Sequence, residues 1–121
     1  MNKHRQNPFI NALRGIFETF RSERNFKIHL GCAALAIALG IWTRLSASDW
    51  RWIALCITVV FVLELLNTAL EAVVDLLSPN YHPLAKKAKD AAAGAVLVGA
   101  IFALIVGASV FLPKLRAYFF E

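Results

Sequence analysis

Residues 52–77 form an apolar run of bilayer-spanning length that nevertheless contains Glu64, Glu71 and Asp75. A transmembrane helix needs about 20 predominantly apolar residues. An ionised carboxylate near the middle of one costs about 2.5–3.5 kcal/mol on insertion scales. On a helix, Glu64, Asn67, Thr68, Glu71 and Asp75 recur at three- and four-residue intervals and share one face. Such a stripe must meet a metal, a water-filled cleft or a polar partner. Asn67 and Thr68 also suit interhelical hydrogen bonds, and Asp75 also suits a solvated helix end. Glu64 and Glu71 are the hardest to explain without a function.

The rest of the chain agrees with a membrane protein. Charged residues make up 17% of the 121 residues and mean hydropathy is +0.59, whereas a soluble domain is about a quarter charged. Residues 1–121 read as a single domain of the all-α membrane class: an amphipathic surface helix at about 8–24, then spans at about 28–46, 51–77 and 88–112. Asn7-Pro8 is a helix start. Phe9, Ile10, Leu13, Ile16, Phe17 and Phe20 fall on one face, opposite Asn11, Arg14, Glu18 and Arg21, as in a helix lying in the membrane interface. The first apolar run, 28–43, is somewhat short of a full span, so snorkelling or bilayer thinning is expected to compensate. Pro113 is expected to end the third. Residues 1–27 hold no uninterrupted apolar core, so no cleavable signal peptide is expected. Cys32 and Cys56 lie within apolar runs and read as small core-facing hydrophobes.

Basic residues orient the spans. Lys3, Arg5, Arg14, Arg21, Arg24 and Lys27 precede the first span, and Lys86, Lys87 and Lys89 lie in the second loop, against Arg44, Arg51, Lys114 and Arg116 on the other side. This bias predicts a plasma (inner) membrane protein with its N-terminus in the cytoplasm and its C-terminus outside. Trp42, Trp50, Trp52 and residues 118–120 would form the aromatic belt of the opposite interface. Because the basic residues flank apolar segments, the net charge of +5 points to anionic lipid headgroups and away from nucleic acid.

Asn80-Tyr81-His82-Pro83 reads as a turn with Pro83 opening a helix through Lys86, Lys87, Lys89 and Asp90. Lysines there oppose the helix dipole but suit a bound polyphosphate, although positive-inside anchoring alone accounts for Lys86 and Lys87. A cytoplasmic polyphosphate, carboxylates able to hold Mg²⁺ and a deeper carboxylate able to act as a base outline phosphoryl transfer. No GxxxxGK[ST] motif or soluble-kinase signature occurs. In the third span, Ala91, Ala95, Gly99 and Gly94 offer small residues for close helix packing.

ERNFKIH at 23–29, ELLNTALEAVVDL at 64–76 and HPLAKKAKDAAAGAVLV at 82–98 closely resemble the prokaryotic diacylglycerol kinase family over nearly the whole chain. The resemblance implies a homotrimeric integral-membrane lipid kinase using ATP and Mg²⁺. By position, Glu64 would be the catalytic base, and Glu23 and Glu71 would bind the metal and nucleotide. Asn67, Lys89 and Asp90 would complete the catalytic and nucleotide site, with Asn80, Tyr81 and His82 near the nucleotide. Arg14, His29 and Asp75 stand as supporting residues. Taken alone, Glu23 reads as a solvated charge at the end of the surface helix. The N-F-K-I-H run, the HPLAKKAKDAAAGAV block and the FLPKL ending resemble the Gram-positive undecaprenol kinase branch, which makes undecaprenol the expected lipid and diacylglycerol the alternative. Intramembrane carboxylates also mark ion pathways, but a transporter is usually larger and built from repeats. A non-enzymatic interaction subunit would leave the lysines and Asp90 unexplained.

Overall fold

The computed structural model describes residues 7–121; Lys3 and Arg5, two of the charges used to orient the chain, lie outside the described residues. Four helices follow one another: α1 (Pro8–Ser22), α2 (Arg24–Thr43), α3 (Ala47–Leu77) and α4 (Pro83–Phe120). The last three are long and apolar enough to cross a membrane. The molecule is an all-helical membrane protein.

Local chemistry sets the helix limits. Asn7 Oδ1 accepts from the Phe9 amide at 2.9 Å, capping α1 with Pro8 in its first turn. The apolar face of α1 is uncovered, with Phe9 78% and Leu13 66% exposed, as an interfacial helix requires. Glu23 then adopts an extended conformation (φ −101°, ψ 116°) that breaks the chain between α1 and α2. Because α2 starts at Arg24 and runs 20 residues, it spans about 30 Å at 1.5 Å per residue. The shortfall expected from residues 28–43 is therefore made up by an extra helical turn that carries Arg24 and Lys27.

A tight reversal joins α2 to α3. Arg44 sits in the left-handed region at φ 54°. The amide of Leu45 donates to Gly40 O (3.1 Å) and that of Arg44 to Ile41 O (3.3 Å), the paired bonds of a Schellman ending. Ser46 Oγ accepts from the Asp49 amide at 3.1 Å and starts α3. Gly40 is required here: a Cβ on it would lie 2.6 Å from Trp50 Cη2. Beside this turn Leu45, Ile53 and Val110 form a buried cluster with Trp50, Ile57, Val106 and Phe111 packed around it. Trp42 of α2 meets Tyr118 of α4 at 4.8 Å between ring centres, and Tyr118 meets Phe119 edge-on at 5.1 Å.

α3 and α4 make the most extensive pairing in the chain, and α2 packs more lightly against both. Gly99 permits the close approach, since a Cβ there would fall 2.5 Å from Leu63 Cδ1. Ala91 and Ala95 are exposed and nothing lies within 4 Å of a Cβ on Gly94, so only Gly99 of the small-residue set serves packing within the chain. The helix does not end at Pro113 but continues to Phe120. Proline removes one backbone donor, a loss membrane helices tolerate by local readjustment. Cys32 is exposed, not core-facing, while Cys56 is buried as expected, and both thiols are free.

Candidate active site

At the end of the bundle away from the Schellman turn, the polar face of α3 comes together with the α1–α2 break and the start of α4. An aromatic cluster fixes the frame. Phe26 of α2, only 4% exposed, stacks on Phe61 of α3 at 5.2 Å and meets Phe20 of α1 edge-on at 6.4 Å. Such rings bury large areas and pack with specific geometry, so α1, α2 and α3 are held together within one turn of Glu64.

Glu64 is 2% exposed, the most deeply buried charged residue described. His29 Nε2 of α2 approaches its Oε1 to 3.1 Å. Oε1 is nonetheless without a hydrogen-bond partner among the described residues. Two more buried acceptors are left without partners one turn further along α3, Asn67 Oδ1 and Thr68 Oγ1. The other three threonines satisfy themselves: Thr19, Thr43 and Thr58 each donate to the carbonyl four residues back at 2.8 Å. Buried polar groups are nearly always bonded, and leaving one unmade costs about 1–3 kcal/mol. Three such groups within five residues make this stretch of α3 the candidate site.

The remaining predicted residues divide by what they touch. Asn67 Nδ2 donates to Glu71 Oε1 at 3.3 Å, which ties these two site residues together and aims the carboxylate. Glu23 is half-buried, and its side chain makes no capping bond and joins no ion pair among the described residues. Lys89 pairs with Asp75 across the α3–α4 contact, and Lys86 pairs with Asp90 at 2.5 Å along α4. The lysine ammonium groups therefore meet carboxylates as well as any anion. Tyr81, Pro83, Lys86, Lys87, Asp90 and Ala91 line a concavity of about 540 Å³ at the head of α4. His82 caps α4 there, its Nδ1 accepting from the Leu84 amide at 3.1 Å, and Ser78 Oγ donates to Asn80 O at 2.8 Å to shape the turn. Arg14 is exposed on α1 and joins no ion pair among the described residues.

The set fits Mg²⁺ chemically. Mg²⁺ is usually held by one or two carboxylates together with substrate phosphates. Glu71, steadied by Asn67, and the free carboxylate of Glu23 are oxygen donors of that kind. Among the described residues no three acidic, histidine or cysteine side chains cluster as an all-protein metal cage.

A second feature runs the other way from Glu64. Between α2, α3 and α4 lies an apolar groove of about 600 Å³, walled by Ala36, Ile57, Val60, Leu104 and Phe111 among others. His29 is the ionisable ring in its wall, with Cys32 and Cys56 also facing it. Hydrocarbon space thus leads to the imidazole that touches the buried carboxylate.

A membrane-embedded carboxylate with acceptors held in reserve, an apolar groove on one side and a basic helix start on the other is the layout of an enzyme acting on a membrane lipid. Comparison with known proteins agrees. The family model of prokaryotic diacylglycerol kinases matches residues 10–111. The undecaprenol kinase of Bacillus subtilis (strain 168) is 52% identical over 107 residues, covering 88% of this chain and 87% of that protein. A diacylglycerol kinase of Synechocystis is 48% identical over 105 residues, 86% of this chain and 60% of that protein. The diacylglycerol kinase of Escherichia coli (strain K12) is 32% identical over 92 residues, 76% of this chain and 75% of that protein.

The chain belongs to the prokaryotic diacylglycerol kinase family. It is a lipid kinase, with ATP as its phosphate donor.

Two features are not legible residue by residue. Outside the family pattern Glu23 resembles any solvated charge. The His29–Glu64 contact joins residues 35 positions apart on different helices, and the only signal available was an ionisable ring within an apolar run.

Proposed function

We propose that the protein phosphorylates undecaprenol to undecaprenyl phosphate, with Glu64 as general base. The observation that carries this reading is the buried Glu64 carboxylate, its Oε1 without a hydrogen bond, beside the one ionisable ring in the wall of the apolar groove. The groove suits a hydrocarbon chain, and a lipid hydroxyl at its polar end would lie near the carboxylate. As the hydroxyl oxygen attacks the γ-phosphorus of ATP, its proton passes to Glu64, and the bond from phosphorus to the ADP oxygen breaks. The products are the lipid monophosphate and ADP.

Glu23 and Glu71 would hold Mg²⁺, whose charge would offset that building up on the phosphates. Asn67 orients Glu71. Lys89 and Asp90 complete the nucleotide site, with Asn80, Tyr81 and His82 at its edge and Asp75 holding Lys89. Arg14 stands on the interfacial helix as a headgroup or phosphate contact. The chain works as a homotrimer in the plasma membrane, its N-terminus and α3–α4 loop cytoplasmic and its C-terminus outside.

The 52% identity to the Bacillus undecaprenol kinase over 87% of its length supports reading undecaprenol ahead of diacylglycerol. Diacylglycerol is the second reading, favoured by the name shared by the Synechocystis and E. coli relatives. Purified protein in mixed micelles, given ATP and each lipid in parallel, tests the choice. Undecaprenol should be turned over with the higher kcat/KM. A preference for diacylglycerol would reverse the assignment, and no turnover of either alcohol would sink the reading as a whole.

A further inference from the structure

Beyond Lys27, His29 is the one ionisable side chain of α2 apart from the Cys32 thiol. Its side chain is 23% exposed and its Nε2 stands 3.1 Å from Glu64 Oε1. That oxygen is buried and takes no hydrogen bond from any other described group. His29 lines the apolar groove, and Glu64 does not, so the imidazole stands between the hydrocarbon space and the carboxylate. The stacked pair of Phe26 and Phe61, each three residues before a member of the dyad, fixes both helices at this level. The two atoms lie within hydrogen-bond reach, and the side-chain torsion that aims the ring N–H is broad in histidine.

We propose that His29 is a positioning residue for Glu64. Its ring N–H holds Oε1, leaving Oε2 to take the proton of the lipid hydroxyl. The proposal rests on the reading of Glu64 as base. Hydrogen bonds to charged groups are among the stronger side-chain bonds, and a misplaced base loses rate without losing affinity for the nucleotide.

Three variants in detergent-embedded full-length protein test it, with kcat and the KM for ATP measured on a lipid alcohol. His29→Phe keeps the ring's bulk without an N–H, His29→Gln returns an N–H at comparable reach, and His29→Ala removes both. His29→Phe and His29→Ala should lose about ten- to hundredfold in kcat with the KM for ATP within twofold of the parent, and His29→Gln should recover most of the loss. Should His29→Ala unfold, the Phe and Gln pair decides, because both fill the site. Parent-like kcat in His29→Phe, an equal fall in Phe and Gln, or a loss confined to the KM for ATP would each overturn the role. Glu64→Gln is assayed beside them. Activity there removes the base reading itself, whereas an inactive Glu64→Gln with a parent-like His29→Phe removes the positioning role alone.

Discussion

The two halves of α3 are buried to similar depths but treat their polar atoms in opposite ways. Before Glu64, Ile53, Cys56 and Val60 are 3–7% exposed, and Thr58 returns its hydroxyl to Ala54 O. From Glu64 onward burial continues at Glu64 and Val74, yet Glu64, Asn67 and Thr68 each leave a buried oxygen unpartnered. An unsatisfied buried group is expensive in either half. The first half behaves as structure alone would dictate. The second retains a cost that structure alone would have removed, and the role proposed for Glu64 and its neighbours gives a reason for keeping it.

The sharpest way to break this comparison is Glu64→Gln. It keeps size and burial and removes the basic oxygen, so kcat should fall by at least about a hundredfold while nucleotide binding stays close to the parent's. Lipid-dependent ATP consumption near the parent rate would leave the second half of α3 with no claim to the chemistry. Glu71→Gln tests a different part of the same half. Losing even a residue that only supports a metal ligand typically costs 10–100-fold in metal affinity. A direct ligand should therefore shift half-saturation by Mg²⁺ upward by about tenfold or more, and an unmoved titration would release Glu71 from the metal.

Legibility followed the same division. The helices, the surface segment, Pro83 at a helix start and the polar stripe were all readable, because bilayer physics and helix periodicity act on residues near one another in sequence. Cross-helix partners were not. Sequence placed Lys89 beside Asp90, but in the fold its ammonium meets Asp75, fourteen residues earlier, and Asp90 meets Lys86. His29 stands among the supporting residues through the family resemblance, but its partner is set by how α2 leans on α3. Pro113 misled for a related reason: a proline ends helices in water more readily than in a bilayer, where the chain has few other ways to satisfy its backbone. Glu23 came from the family pattern, and the structure adds that its side chain does no capping work.

Substitutions in the structural half should separate stability from turnover. In Gly40→Ala the new methyl would meet the rigid Trp50 ring at 2.6 Å. Overpacking of this kind costs about 1–3 kcal/mol and should lower the unfolding midpoint while kcat stays near the parent's. Gly99→Ala meets the end of the flexible Leu63 side chain, which can change rotamer, so the loss should be the smaller of the two. A larger loss in Gly99→Ala would put the rigid contact at the α3–α4 crossing.

The smallest effects give the most direct test, because one substitution can be made in each half of the same helix. Thr58→Val removes a hydroxyl whose only visible bond is to its own helix; unfolding midpoint and kcat should both change little. Thr68→Val removes a buried hydroxyl with no partner. If that oxygen serves no purpose, its loss relieves an unpaid desolvation of about 1–3 kcal/mol, and stability rises with turnover unchanged. If it belongs to the site, stability is held or raised while turnover falls severalfold. The second outcome is expected, since Thr68 lies one turn from Glu64 and one from Glu71 on the same face. Matching behaviour of the two valine variants would mean that the unpartnered oxygens are ordinary features of a membrane helix, and the distinction between the halves would then rest on Glu64 alone.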